Sequence, residues 1–149
     1  MEHLQLVLEE TFAANFVAYY RAHIAHINIQ GRTFFQDHKL LQKIYESLQD
    51  NIDTLGEKIR TIKAFAPQSI STAVGISSIS DLDVVGSADE MLELVEESIE
   101  ILIDQYKDLY QAAELVGYVD ISNFAQDQIG VLAKHRWMLE STLEEREEE

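Results

Sequence analysis

The 149-residue sequence predicts an all-α protein, one bundle of four long helices joined by a single long crossover. Three observations carry this. Apolar residues recur at steps of three and four over stretches far longer than a strand. Turn formers are scarce, with six glycines and the single proline Pro67, which disfavours a turn-rich β fold. The strongest helix-breaking signals, at Gly31, between residues 66 and 86, and at Gly117, cut the chain into four helical lengths.

The first helix is expected over residues 4–29, with Phe12, Phe16, Tyr19, His23 and His26 along one stripe and Gly31 ending it. The second is expected over 34–64. Its stripe is Leu41, Tyr45, Leu48, Ile52, Leu55, Ile59 and Ile62, and Thr33 with Gln36 can form its capping box. The third is expected over 88–115, opened by a box of Ser87 and Glu90 and striped by Leu92, Val95, Ile99, Leu102, Tyr106 and Leu109. The fourth is expected over 121–144, after the break at Gly117. Antiparallel neighbours need only short links, so the roughly twenty residues from 66 to 86 imply a crossover along the bundle. A loop of that length without structure is unusual, and a short helix is expected within 79–85. This architecture is the ferritin-like bundle. The whole chain, 1–149, reads as one domain, with the acidic end at 144–149 as a frayed helix terminus.

Composition bounds the function. Apolar residues make up 46% of the chain, enough for a packed core. The absence of cysteine excludes disulfides, thiolate zinc sites and a cysteine nucleophile. No segment is long and apolar enough to span a membrane, and no signal peptide is visible, so a cytoplasmic location is expected. The net charge of −16 opposes direct DNA binding, which requires cations to displace counterions from phosphate. An acidic surface instead attracts cations. Phosphate-binding glycine loops and nucleophile elbows are missing. So is Glu-x-x-His in the four helices, which argues against a di-iron centre inside one bundle.

The chemistry-bearing residues are His26, His38, Asp53 and Glu57. Imidazole nitrogens and carboxylate oxygens together suit Fe(II), Zn(II) or Mn(II). Asp53 and Glu57 are four residues apart and share a helix face. His26 ends the first helix close to the start of the second, where it can meet His38. His38 and Asp53 are fifteen residues apart on one helix, about 22 Å along its axis at ~1.5 Å per residue. They cannot hold one ion in a straight helix. An antiparallel two-fold pairing of second helices would bring the acids of one chain to the histidines of another, making two equivalent sites per dimer. Each part has a plain alternative. A single histidine on an apolar stripe is commonly packing, and an acidic pair is commonly a solvated face.

The combination resembles the Dps family of mini-ferritins (DNA-binding proteins from starved cells). Ala25-His26-Ile27-Asn28-Ile29-Gln30-Gly31 resembles its A-H-W-N-x-x-G, and Phe34-Phe35-Gln36-Asp37-His38 its F-x-x-x-H. Asp50-Asn51-Ile52-Asp53-Thr54-Leu55-Gly56-Glu57-Lys58 is similar to D-x-x-D-x-x-A-E-R, and Trp137-Met138-Leu139-Glu140-Ser141 to W-x-x-E-S/A. The motifs fall in the right order over nearly the whole chain. The resemblance implies that His26 and His38 are ferroxidase ligands from one subunit and that Asp53 and Glu57 come from its two-fold partner. It implies a hollow dodecamer that oxidises Fe(II), by hydrogen peroxide in preference to dioxygen, stores ferric mineral and protects against oxidative damage. Zinc is a possible substitute metal.

Two positions depart from the family pattern. Gln42 stands where the family has an aspartate, and a neutral amide binds iron more weakly than a carboxylate. Asp37 and Glu46 are the neighbouring carboxylates. Ile27 stands at the family's tryptophan. His23, one turn before His26, is a candidate to orient a ligand. Asp120 falls where the family lines a pore, and serves equally as a helix cap. Gly56 between the two acids suggests close approach of a partner. His135, with Leu132 and Leu139, reads as packing, and His3 as uninformative. Two other functions stay open: a metal-binding shell whose oxidation is impaired by Gln42, and a DNA-protecting nucleoid protein.

Overall fold

A computed structural model describes residues 1–148, with side chains as far as Glu144. The four long helices are α1 (Glu2–Asn28), α2 (Phe34–Thr61), α4 (Ala88–Leu115) and α5 (Val119–Glu148), with a short α3 (Ile70–Ile76) in the crossover. Among the described residues there is no strand. α1 packs on α2 and α4, α4 packs on α5, and α3 lies against α1. The fraying expected at 144–149 lies, from residue 145 onward, outside the described side chains.

The core follows the apolar periodicity most closely in α4, where Leu92, Val95, Ile99, Leu102, Tyr106 and Leu109 are all fully buried. Burying an aliphatic side chain of this size contributes ~1.5–3 kcal/mol. In α2 the buried line is Leu41, Ile44, Leu48, Leu55 and Ile59, with Tyr45, Ile52 and Ile62 only half-buried. α1 differs most from expectation. Its inward face is Leu4, Leu8, Ala14, Ala18, Ala22 and Ala25, whereas Phe12, Phe16, Tyr19 and His23 lie along a half-buried edge. Small alanines let α1 touch two neighbouring helices closely, and the rings are left at the rim.

The α4 capping box forms as expected. Ser87 Oγ accepts from the Glu90 amide at 3.1 Å, and the Ser87 amide donates to Glu90 Oε1 at 3.0 Å. Gly86 before it has φ +112°, and a Cβ there would sit 2.9 Å from Glu90 Oε1, so only glycine fits the box. The box expected at α2 is absent. The Thr33 hydroxyl donates instead to Asp37 Oδ2 at 2.9 Å, one turn on, and Gln36 is exposed.

The short helix lies earlier than expected, at Ile70–Ile76 rather than within 79–85. Ser69 caps it by accepting from the Thr72 amide at 3.1 Å. Downstream, Ser77 Oγ accepts from the Ile79 amide at 2.9 Å, a local bond that competes with helix. Ile79 and Val84 are both buried, so this stretch works as extended chain pinned to the core.

Candidate metal centre

His26 occupies the last turn of α1 and His38 the second turn of α2, across the tight link that contains Gly31 at φ +120°. Ala25 is completely buried and leaves room for α2 to come close. The imidazoles lie face to face, centroids 3.7 Å apart and planes 15° from parallel. Phe34 stacks beyond His38 at 4.9 Å, and Tyr45 turns its edge to His26 at 5.0 Å.

A reciprocal pair of bonds holds this stack. His26 Nδ1 donates to the His38 carbonyl and His38 Nδ1 donates to the His26 carbonyl, both at 2.8 Å. A carbonyl can only accept, so Nδ1 carries a proton in each ring, which leaves Nε2 as the nitrogen that can bind a metal. The carbonyls are available for ordinary reasons. His26 lies in the final turn of α1, where helix carbonyls lack an intrahelical donor. His38 O lies inside α2 and uses a second lone pair. Removing either histidine therefore removes one candidate ligand and one constraint on the other.

His23 does not supply that constraint. Its Nδ1 is 2.7 Å from the Tyr19 hydroxyl, and its ring stacks on Tyr45 with centroids 3.9 Å and planes 3° apart. Its centroid is 6.1 Å from that of His26. Burial, and then the nearby His26 charge, push the His23 pKa below the ordinary histidine value. Burial, with Tyr45 and Tyr20 beside it, pushes Tyr19 up.

Asp53 and Glu57 are exposed on the distal half of α2, apart from the histidines. Among the described residues, no three histidine or carboxylate side chains of one chain are grouped so that they could hold a metal ion. The Gln42 amide donates to Glu46 Oε1 at 2.9 Å, which ties up both side chains. Asp37 is buried and accepts from Thr33. The nearest atom to a Cβ at Gly56 is Phe12 Cε2 of the same chain, at 3.5 Å, an ordinary contact. Asp120 lies within the first turn of α5 rather than at its cap, and pairs with Lys58 at 3.5 Å. His135 is buried next to Leu132 and Leu139, and neither ring nitrogen has a hydrogen-bond partner among the described residues. Burial, and then Lys134, depress its pKa.

One chain therefore supplies two parallel, pre-oriented imidazole donors at one end of α2 and two solvent-facing carboxylates at the other. Neutral nitrogen with carboxylate oxygen is a donor set suited to Fe(II). Over residues 5–148 the chain matches the ferritin-like domain family. It is 30% identical over 139 residues to the DNA protection during starvation protein of Helicobacter pylori, covering 92% of this chain and 96% of that protein.

The chain belongs to the Dps mini-ferritins of the ferritin-like family.

Solved Dps proteins agree in shape. The Dps protein of Vibrio cholerae O1, described as a member of a broad superfamily of ferritin-like diiron-carboxylate proteins, superposes with a TM-score of 0.90 at 29% identity, covering 95% of this chain and 89% of that one. The Dps protein of Bacillus brevis superposes with a TM-score of 0.88 at 26% identity, covering 94% of each chain. Among the described residues of this Dps chain, no helix is long and apolar enough to cross a membrane.

The spacing predicts Tyr19 and Tyr45 along the helix stripes; Tyr45 meets the ring of His26, and Tyr19 is hydrogen-bonded to His23. The signal was available: Tyr19, His23 and His26 step by four and three along one helix, and His38 and Tyr45 are seven apart on the next. What the sequence could not supply was the rotation that puts these edges face to face.

Proposed function

We propose that this protein binds Fe(II) at sites shared between subunits, oxidises it with hydrogen peroxide in preference to dioxygen, and stores the ferric product within a dodecameric shell. His26 and His38 would hold Fe(II) through Nε2, and Asp53 and Glu57 of the partner subunit would complete the ligand set. The observation that carries this is the reciprocal pair of imidazole–carbonyl bonds. It leaves Nε2 of each ring without a partner in that bonding, on two stacked rings that cannot rotate without breaking a bond. Membership of the Dps group supports the iron-handling class. Zn(II) would fit the same donors as a substitute.

Iron oxidation followed by stopped-flow absorbance tests the activity. An acceleration over the protein-free rate, abolished by His26→Ala, is expected, and no acceleration would falsify the ferroxidase reading. Crystals soaked in Fe(II) and read by anomalous scattering test the shared ligand set. Mass measurement in solution should show a twelve-subunit species.

A second reading has one observation in its favour. Gln42 is neutral and its amide is occupied by Glu46, so a second iron position gains no carboxylate there. The shell would then bind metal at one position per site and turn over slowly. Titration stoichiometry separates the readings, one ion per site against two. Direct DNA protection, which the relatives' name describes, is disfavoured by the charge of −16. A gel shift at low salt without divalent ions should show no retarded DNA.

A further inference from the structure

The outward face of α2 carries its charges in blocks. Lys39, Lys43, Glu46, Asp50, Asp53 and Glu57 recur at steps of four and three along one stripe, and all six are exposed. The first two are basic and the last four acidic. Three like-charge pairs result, each four residues apart: Lys39 with Lys43, Glu46 with Asp50, and Asp53 with Glu57. Every such pair destabilises a helix standing alone. Within the stripe, opposite charges come within one turn only where the blocks join, at Lys43 and Glu46. Among the described residues, neither lysine forms an ion pair. Lys39 lies over the Phe35 ring at 5.6 Å, and Glu46 is taken by the Gln42 amide.

A solvated face gains nothing by sorting its charges in this way, whereas an antiparallel two-fold does. Turned end for end, the stripe presents its acidic block to the basic block of a second copy. Parallel pairing would set lysine against lysine. Two chains of net charge −16 repel each other, so an interface between them needs local attraction. The shared site supplies the register. Place His38 opposite the midpoint of the partner's Asp53 and the partner's Glu57. Five residues on along one helix is then level with five residues back along the other, which sets Lys43 opposite the partner's Asp50. Within one chain Lys43 and Asp50 are seven residues apart, about 10 Å along the axis and beyond ion-pair reach.

We infer that this stripe is the face on which a second copy docks, with Lys43 paired to the partner's Asp50 and Lys39 beside the partner's Asp53. Charge sets the antiparallel direction, and the metal ligands set the register. Asp50 is thereby a docking residue and not a ligand. A lone surface ion pair contributes little. Here each contact occurs twice about the axis, and the same charges that attract in one direction repel in the other. This inference rests on the shared site proposed above.

The test reverses one charge per chain. Lys43→Glu sets acid against acid at both contacts, and Asp50→Lys sets lysine against lysine. Each variant alone should lose the wild-type assembly in native mass spectrometry and bind Co(II) at least about tenfold more weakly. Both positions are exposed, so far-UV circular dichroism should stay that of the wild type. Mixed in equal amounts, the two variants regain opposite charges at both contacts, and assembly and Co(II) binding should return. The two substitutions combined in one chain should assemble with themselves and exclude wild-type subunits. Single variants that assemble as the wild type does, or a mixture no better than its parents, overturn the inference. Failure of the metal site is recognised separately: association then follows the charges while even the wild type binds no Co(II), so the docking stands and the site falls.

Discussion

The two halves of the candidate metal centre are built to different standards. His26 and His38 are packed, stacked and mutually hydrogen-bonded within one chain. Asp53 and Glu57 stand in solvent on the same α2 helix. Local folding alone can finish the first half, because a tight link brings adjacent helix ends together. Among the described residues, the second half has no histidine or carboxylate neighbours with which to form a metal-holding cluster. In the proposed site this division would couple metal binding to assembly: the isolated subunit holds oriented nitrogens, and the charge-balancing oxygens would arrive with another copy.

The largest effect should come from breaking the assembled half. Either His26→Ala or His38→Ala removes a ligand and releases the other ring. Since losing an orienting partner alone costs about 10–100-fold in metal affinity, the loss should be at least that large by isothermal titration with Zn(II) or Co(II). The double substitution should cost little more than either single one, because the two residues act as a unit. Additive losses would show that the reciprocal bonds are incidental.

Next in size is complementation across chains. Subunits carrying His38→Ala, mixed with subunits carrying Asp53→Asn and Glu57→Gln, should regain a fraction of sites that neither parent shows. Binding no better than the parents would return all four residues to a single-chain explanation, which the separation along α2 disallows.

Stability should divide along the same line. His38→Ala leaves the His26 carbonyl, in the last turn of α1, without its donor and should cost about 1–3 kcal/mol by urea denaturation. Exposed Asp53→Asn should stay within about 0.5 kcal/mol. Similar costs for the two would remove the contrast between the halves.

His135 provides a control, a buried histidine outside both halves. Its pKa lies below the ordinary 6.5 because burial penalises the charged ring. The unfolded chain therefore binds the proton more readily than the folded one. The stability from keeping this ring neutral is fully present above about pH 6.5 and is lost as pH falls from there through the lowered folded value. His135→Leu should flatten the stability profile over that window. Added Zn(II) should leave the His135 contribution unchanged.

The smallest effect is the most local. Gln42→Asp should raise binding stoichiometry toward two ions per site. It also places a carboxylate one turn from Glu46 in exchange for a hydrogen bond, costing the apoprotein about 0.2–0.5 kcal/mol. Unchanged stoichiometry would mean that position 42 does not face the metal.

Legibility in the sequence varied with the range of the interaction. The α4 stripe and the Ser87–Glu90 box were readable because both depend on spacing within one helix. The α2 box was misread because Thr33 had a second acceptor, Asp37, at equally good spacing. The short helix lies earlier than the expected 79–85 because Ser69 caps it at Ile70, while Ile79 and Val84 are buried outside any helix. In α1 the aromatic stripe was taken as the core face, although alanines occupy it.

By itself the sequence determined the four helical lengths, the long crossover, the acidic composition and the separation of His38 from Asp53 and Glu57 along α2, because helix pitch converts residue separation directly into distance. Tertiary structure alone decided that Nδ1 of His26 and of His38 donates to the other residue's carbonyl and that Tyr45 borders His26. Those outcomes depend on how far one helix is rotated against the next, and rotation is set by small residues such as Ala22 and Ala25 packing across the interface.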